Sequence, residues 1–267
     1  MTTVAVIAAI VLGAWLLIEG ALHLLVQALR PGFQWLIRPA DAAPAIDPEL
    51  VRQHMQRSFD PELGWVRPPD SVGADKGDGV SVPYRIDSRG CRFNPGFDGK
   101  PSEVAVFGDS FAFCRLVPDG ETWPHYLSAA LGTNVRNFGM GNYGVDQAVL
   151  RFERELPRLD SRIVVMNVVH ESVARVHSYW KHYFESGNVL AFKPRFELKD
   201  GRLVHHAPAM RTAEDFAAYR AQLGHIQGLD RFYRAKFSRD LLCFPYLPKL
   251  VRRWNRHVPI LFHLAIG

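Results

Sequence analysis

Apolar and polar positions change their pattern several times along this 267-residue chain, and the first stretch is the most apolar. From Val4 to Leu29 only Glu19, His23 and Gln27 interrupt a run of 26 residues. As a helix it is long enough to cross a hydrocarbon core of about 30 Å. The basic n-region and small-residue cleavage site of a removable signal peptide are absent. The pattern therefore predicts a retained single-pass anchor, with a buried amphipathic helix as the alternative. Glu19 and His23 stand four apart on one face, where a polar pair reaches the interface or another helix. Arg30 and Arg38 follow and nothing basic precedes, which favours a cytoplasmic body; two arginines leave the side of the membrane unresolved.

From Pro31 to about Lys100 the periodicity is broken by Pro31, Pro39, Pro44, Pro48, Pro61, Pro68 and Pro69. This reads as a connector with a short helix at Pro48 to Arg57, a mobile loop at Asp70 to Gly79 and an edge strand at Val80 to Ile86. Then a regular rhythm begins. Val104 to Phe107 is short, β-branched and aromatic, the makeup of a buried strand, and Gly108 stops it. Thr122 caps a helix through Trp123, Leu127 and Leu131 that ends at Gly132. Asn134 to Phe138 is a second strand, followed by the glycine-rich turn Gly139-Met140-Gly141-Asn142-Tyr143-Gly144. A helix with Val145, Val149, Phe152 and Leu156 on one face runs to Pro157. Arg162 to Val169 is a third strand, apolar on both faces as buried parallel strands are. Strand, helix, strand, helix, strand predicts a parallel sheet covered by helices. Beyond it, Phe192 to Leu198 and Arg202 to His206, joined by Lys199-Asp200-Gly201, predict a β-hairpin. Thr212 caps a long helix with Phe216, Tyr219, Leu223 and Ile226 in its stripe. No fourth or fifth strand–helix unit follows, and the chain ends in an apolar run.

Composition sharpens this picture. Apolar residues at 48% and charged residues at 22% exclude wholesale disorder. The net charge of +5 is uneven: Arg231, Arg234, Lys236, Arg239, Lys249, Arg252, Arg253 and Arg256 crowd the last quarter, with only Asp230 and Asp240 among them. The stretch reads as a solvated helix face, with contact to an anionic membrane as the alternative; no nucleic-acid partner is expected. Cys91, Cys114 and Cys243 form no CxxC, and the eleven histidines no HExxH. Neither a disulfide framework nor a metal or cofactor is implied.

Three turns follow the three strands and fall at one edge of the sheet: Gly108-Asp109-Ser110, Gly139 to Gly144, and Val169-His170-Glu171-Ser172. That edge is where open α/β folds place their chemistry. A serine there is either a nucleophile, which needs a base and backbone N–H groups to hold an oxyanion, or part of a helix cap. The pattern is not the GxSxG elbow, since Ala112 occupies the second glycine's place, and no Gly-Lys-Ser/Thr marks a phosphate loop. Val104-Ala105-Val106-Phe107-Gly108-Asp109-Ser110-Phe111 resembles the first block of the SGNH (GDSL-type) hydrolase family, and Asn137 to Gln147 resembles its second. The lead-in Ile86 to Phe93 is similar to the segment preceding that block in membrane-anchored members. The resemblance covers Asp87 to Val176, about a third of the chain.

It implies an α/β fold, a three-layer α/β/α sandwich with a parallel sheet, and Ser110 as nucleophile. The oxyanion would be held by the backbone N–H of Ser110, by a second-block N–H and by a third-block asparagine. Asn142 stands where the second-block glycine is usual, with Gly141 beside it as the other donor. The third block reads His170-Glu171-Ser172 instead of Asn-Asp; an ionised Glu171 accepts and does not donate. Asn167 is nearby, but its expected place inside the strand makes it a poor substitute donor. Loss of one donor would cost about 3 kcal/mol of transition-state stabilisation. The Asp-x-x-His block that carries the base does not occur after Ser110, since His225, His257 and His263 lack the aspartate. His170, at the right edge, stands as a base or as a turn residue without a catalytic role. With the last strand–helix units missing as well, the domain is expected to be truncated or diverged at its C-terminal end. Asp109 is expected to fix its turn, and Asp146 and Gln147 to cap and orient the second-block helix. Tyr179, Trp180 and Tyr183 read as packing, or as an aromatic rim for a sugar.

The expected organisation is an anchor over 1–30, a connector over 31–100 and an SGNH hydrolase-like domain over 101–267 with a hairpin and helical insertion after about 177. The expected function is a membrane-anchored serine esterase or acyltransferase acting on ester-linked acyl groups of a glycan or lipid. The alternative is a non-catalytic SGNH-like scaffold that binds a glycan or protein partner at the membrane.

Overall fold

The computed structural model describes residues 2–33, 36–77 and 79–255. Along the chain run α1 (Thr2–Leu29), α2 (Pro48–Arg57), the pair β1 (Phe59–Asp60) and β2 (Gly64–Trp65), and the pair β3 (Val72–Gly77) and β4 (Val80–Arg85). Next come β5 (Ser102–Phe107), α3 (Ser110–Phe113), α4 (Trp123–Leu131), β6 (Asn134–Asn137), α5 (Val145–Glu155), β7 (Ile163–Met166) and α6 (His170–Arg175). The hairpin β8 (Arg195–Lys199) and β9 (Arg202–His206) precedes α7 (Ala213–Ala218), α8 (Leu223–Leu229), α9 (Ser238–Asp240) and α10 (Tyr246–Arg252). The chain divides into two units, Ala45–Phe232 and a smaller one joining Met1–Pro44 to Tyr233–Gly267.

In the larger unit β5 lies between β6 and β7 and pairs parallel with both. Its alternating side chains feed two cores, as the period of two in a strand requires. Ala105 and Phe107 pack with Cys91, Phe138 and Phe152 of α5; Val104 and Val106 pack with Ala112, Val135 and Leu127 of α4. A helix thus covers each face of the sheet. Phe107 stacks on Phe138 with ring centroids 4.9 Å apart, and burying such a side chain fully is worth about 1.5–3 kcal/mol. Thr122 caps α4 by accepting from the His125 N–H at 3.2 Å.

Several elements differ from the sequence pattern. β7 ends at Met166, and Ile163 and Val164 are 55% and 39% exposed. It is an edge strand, and among the described residues nothing pairs with its outer side. Asp70 to Gly79, expected as a mobile loop, contains β3, paired antiparallel with β4 from Val72–Arg85 to Gly77–Val80; Gly73, Gly77 and the charged Asp75 and Lys76 mask the alternation. The long helix after Thr212 is interrupted by a tighter 3-10 turn at Tyr219–Gln222 between α7 and α8.

The expected connector is no free-standing spacer. From Ala45 onward it belongs to the larger unit, tied down by polar contacts to α5 and the turn before it. Arg154 pairs with Asp60 at 2.6 and 2.8 Å, Gln147 Nε2 donates to the Leu63 carbonyl at 2.7 Å, and the Tyr143 hydroxyl donates to the Trp65 carbonyl at 2.6 Å. A composition-based boundary misses these because each pair is far apart in sequence.

In the smaller unit α1 is long and apolar enough to cross a membrane. Past its end Arg30 pairs with Asp41 at 3.1 Å and Arg38 donates to Gln27 at 2.6 Å. Val26, Leu36, Leu242 and Tyr246 form its buried core. Arg256, His257, His263 and the final apolar run lie outside the described residues.

Candidate active site

The turn after β5 is built around Gly108. Its φ is +155°, and a Cβ there would lie 2.8 Å from Asn167 Cβ and 2.9 Å from Ala112 Cβ, so a side chain would push α3 off the end of β7. Asp109 then caps α3: its Oδ1 accepts from the Phe111 N–H at 3.0 Å. Its Oδ2 lies 3.3 Å from Nη1 of Arg175, which arrives from α6 and also donates to the Tyr143 carbonyl. Asp109 is 1% exposed, so its carboxylate is committed to the turn.

The other end of α3 is held from the lead-in. Arg92, buried, donates to the carbonyls of Phe113 (2.6 Å), Cys114 (2.7 Å) and Val117, and to Asp119 at 3.1 Å. These are carbonyls that a short helix leaves without partners. Asn137 clamps the second turn onto the first, donating to the Ala112 carbonyl at 2.8 Å and accepting from the Gly139 N–H at 2.9 Å. The approach is close: a Cβ on Gly139 would sit 2.4 Å from the Phe113 nitrogen. Met140 N–H adds a bond to the Gly108 carbonyl at 3.0 Å, and Trp65 Nε1 donates to the Gly141 carbonyl at 3.0 Å.

Ser110, Gly141 and Asn142 therefore meet on the wall of one cavity of about 760 Å³. Among the described residues, no protein group bonds the Ser110 hydroxyl or accepts from the backbone N–H groups of Ser110, Gly141 or Asn142. The lining also includes Trp65, Tyr84, Arg57, Arg67 and Arg115. Arg67 lies 3.7 Å over the Phe113 ring and 4.4 Å over Tyr84, and pairs with Asp75 at 3.2 Å. Three arginines face one carboxylate, Asp75, so the cavity is cationic. Cys114 is no rival nucleophile, because burial pushes its thiol up and the thiolate is the reactive form.

His170 is the first residue of α6, is exposed, and lines none of the cavities described around Ser110. Glu171 beside it is exposed as well. No hydrogen bond joins either to Ser110, and no histidine lines its cavity among the described residues. His54, on α2, lines an adjoining cavity of about 300 Å³ that shares Ser58, Trp65 and Asn142 with the first. Its Nδ1 is 2.8 Å from the Ser58 hydroxyl, and burial lowers its pKa, keeping it neutral near pH 7.

Three residues were not singled out by sequence. Arg92 and Arg175 are ordinary surface arginines until their partners are known, and Arg67 lies in the supposed connector. Asn167, placed inside the third strand, instead follows its last residue; its backbone N–H donates to the Phe107 carbonyl at 2.8 Å, and among the described residues its side-chain amide carries no hydrogen bond. It packs against the Gly108 turn, at the sheet edge that carries Ser110. Tyr179, Trp180 and Tyr183 are buried, and Trp180 stacks on Phe192 at 4.8 Å, which is packing and no exposed rim. Gln147 accepts from the Gly144 N–H at 3.1 Å, and Asp146 is paired with the buried Lys193 at 2.5 Å. No protein-family model and no curated protein matches this chain.

Proposed function

We propose that the cavity at Ser110 is the acyl-transfer site of a membrane-anchored, SGNH-type serine esterase or acyltransferase. The observation that carries this reading is a strand-end serine with a free hydroxyl, facing a cavity it shares with the backbone of Gly141 and Asn142. In the proposed step Ser110 Oγ attacks an ester carbonyl and passes its proton to a base. The carbonyl oxygen gains negative charge, held by the N–H groups of Ser110 and of Gly141 or Asn142. Collapse expels the alcohol with a proton and leaves an acyl-serine, which water or a second hydroxyl then relieves of its acyl group. Asn167 is the proposed third donor, in place of the missing block-three asparagine. A helix on each face of the parallel sheet supports the three-layer sandwich.

The cavity walls support the proposed substrate class. Trp65 and Tyr84 offer apolar faces, and the arginines suit an acylated glycan or lipid that carries negative charge. Anchoring through α1 would hold the site near an envelope surface.

One observation favours the second reading, a scaffold that binds such a ligand without turning it over: no histidine lines the cavity among the described residues. Turnover of a chromogenic acyl ester separates the two. Wild-type protein is expected to hydrolyse it and Ser110→Ala to lose essentially all activity, since removing a serine nucleophile lowers kcat by about 10⁶. Well-folded wild type without turnover would leave the scaffold.

A further inference from the structure

In the smaller unit the C-terminal segment folds back along α1, deep within its apolar length. The Leu242 N–H donates to the Ile37 carbonyl at 2.7 Å, beyond the end of α1. Four residues later Tyr246 meets Glu19. That carboxylate accepts the N–H of Tyr246 at 2.5 Å and of Leu247 at 2.9 Å, while His23 Nδ1 lies 2.9 Å from the Tyr246 hydroxyl. Trp15 packs edge-on against Phe244 with ring centroids 5.4 Å apart. Glu19 stands ten residues before Leu29, or about 15 Å from the helix end at 1.5 Å per residue. An extended stretch of four residues spans at most about 14 Å, so Leu242 to Tyr246 covers most of that depth.

We infer that, with α1 in the membrane as proposed above, Leu242 to Arg252 is a re-entrant segment and a second lipid-embedded element. With Arg30 at the interface, Glu19 lies about midway through a hydrocarbon core of about 30 Å, and so does the start of α10. Backbone at that depth must find its partners within the protein. The first N–H groups of a helix are those it cannot satisfy itself, and Glu19 takes two of them. Conversely, a carboxylate inside an apolar span is costly unless it is bonded. Glu19 is the one acidic residue of α1 and is 2% exposed. The outward side chains match a lipid neighbourhood: Phe244 is 58% exposed, and Val251 and Trp254 are each 63% exposed. Arg252 and Arg253 stand between Val251 and Trp254, with stems long enough to carry their charge to the headgroups, while Lys249 Nζ is bonded to Cys243 Sγ.

The full-length protein reconstituted in phosphatidylcholine–phosphatidylglycerol vesicles, with a diazirine near the acyl-chain end, tests this by photo-crosslinking and peptide mapping. Adducts are expected on α1 and on the tryptic peptide Asp240 to Lys249. Glu19→Leu is expected to lose those on Asp240 to Lys249 and keep those on α1. Adducts on wild-type α1 alone overturn the re-entrant segment and leave the anchor standing; adducts on neither overturn both. Labelling of Asp240 to Lys249 only from a headgroup-placed diazirine puts the segment on the surface and overturns its insertion.

Discussion

Asp109 bonds the Phe111 N–H and meets Arg175, while, among the described residues, nothing bonds the neighbouring Ser110 hydroxyl. The pair has thus divided the two roles that a strand-end Asp-Ser offers, the cap going to the aspartate. Arg175→Met would leave the buried Asp109 without its cation, a loss of about 3–5 kcal/mol. Denaturant unfolding checks it, and Asp109→Asn in the same background is expected to recover part of the loss; simple additivity of the two substitutions would contradict the pairing. Asn167 and Glu171 offer a contrast for catalysis. Asn167→Ala is expected to lower kcat on an acyl ester about 10²-fold or more with little change in KM, the behaviour of an oxyanion donor. Glu171→Gln, exposed and off the cavity, is expected to leave both constants unchanged. Steady-state kinetics on the two variants decides.

Among the elements, the join between the β1–β2 pair and α5 has a pH signature. Burial raises the Asp60 carboxyl, but the hydrogen bonds from Arg154 and from the Leu63 and Glu62 N–H groups outweigh it, so the net pKa lies below the ordinary carboxylate value. A lowered folded pKa contributes stability above the unfolded value of about 3.9 and loses it as pH falls through the folded value. Arg154→Met is therefore expected to move acid unfolding to higher pH, followed by circular dichroism; an unchanged midpoint would contradict the join. That join also marks the limit of what is legible in sequence. Val104 to Phe107 and the Thr122 cap were readable because local period and capping chemistry decide them, whereas the expected α5 stripe is displaced: Val149 and Leu156 are exposed, and Ala148, Arg151 and Glu155 are buried instead. β3 was hidden by glycines and charges that its pairing with β4 overrides. The exposure of β7 depends on which strands lie beside it, a non-local fact. At the site, Ser110, Gly141 and Asn142 come from turn chemistry, whereas Arg92 and Arg175 act through contacts 21 to 66 residues away.

At the scale of the whole molecule, α1 and the unit that carries Ser110 make separate demands on the protein. If α1 is an anchor, alkaline carbonate or high salt is expected to leave the full-length chain in the membrane fraction, and detergent to release it. Release by salt alone would make the attachment electrostatic. The unit from Ala45 to Phe232 carries the serine, its turn partners and the cationic cavity, and the central claim is that this serine is chemically reactive. Intact-mass analysis of the full-length protein after exposure to a fluorophosphonate measures that directly. One phosphonyl adduct per chain, located on Ser110 and absent from Ser110→Ala, is the expected result. A folded wild-type protein that takes up no adduct would contradict it.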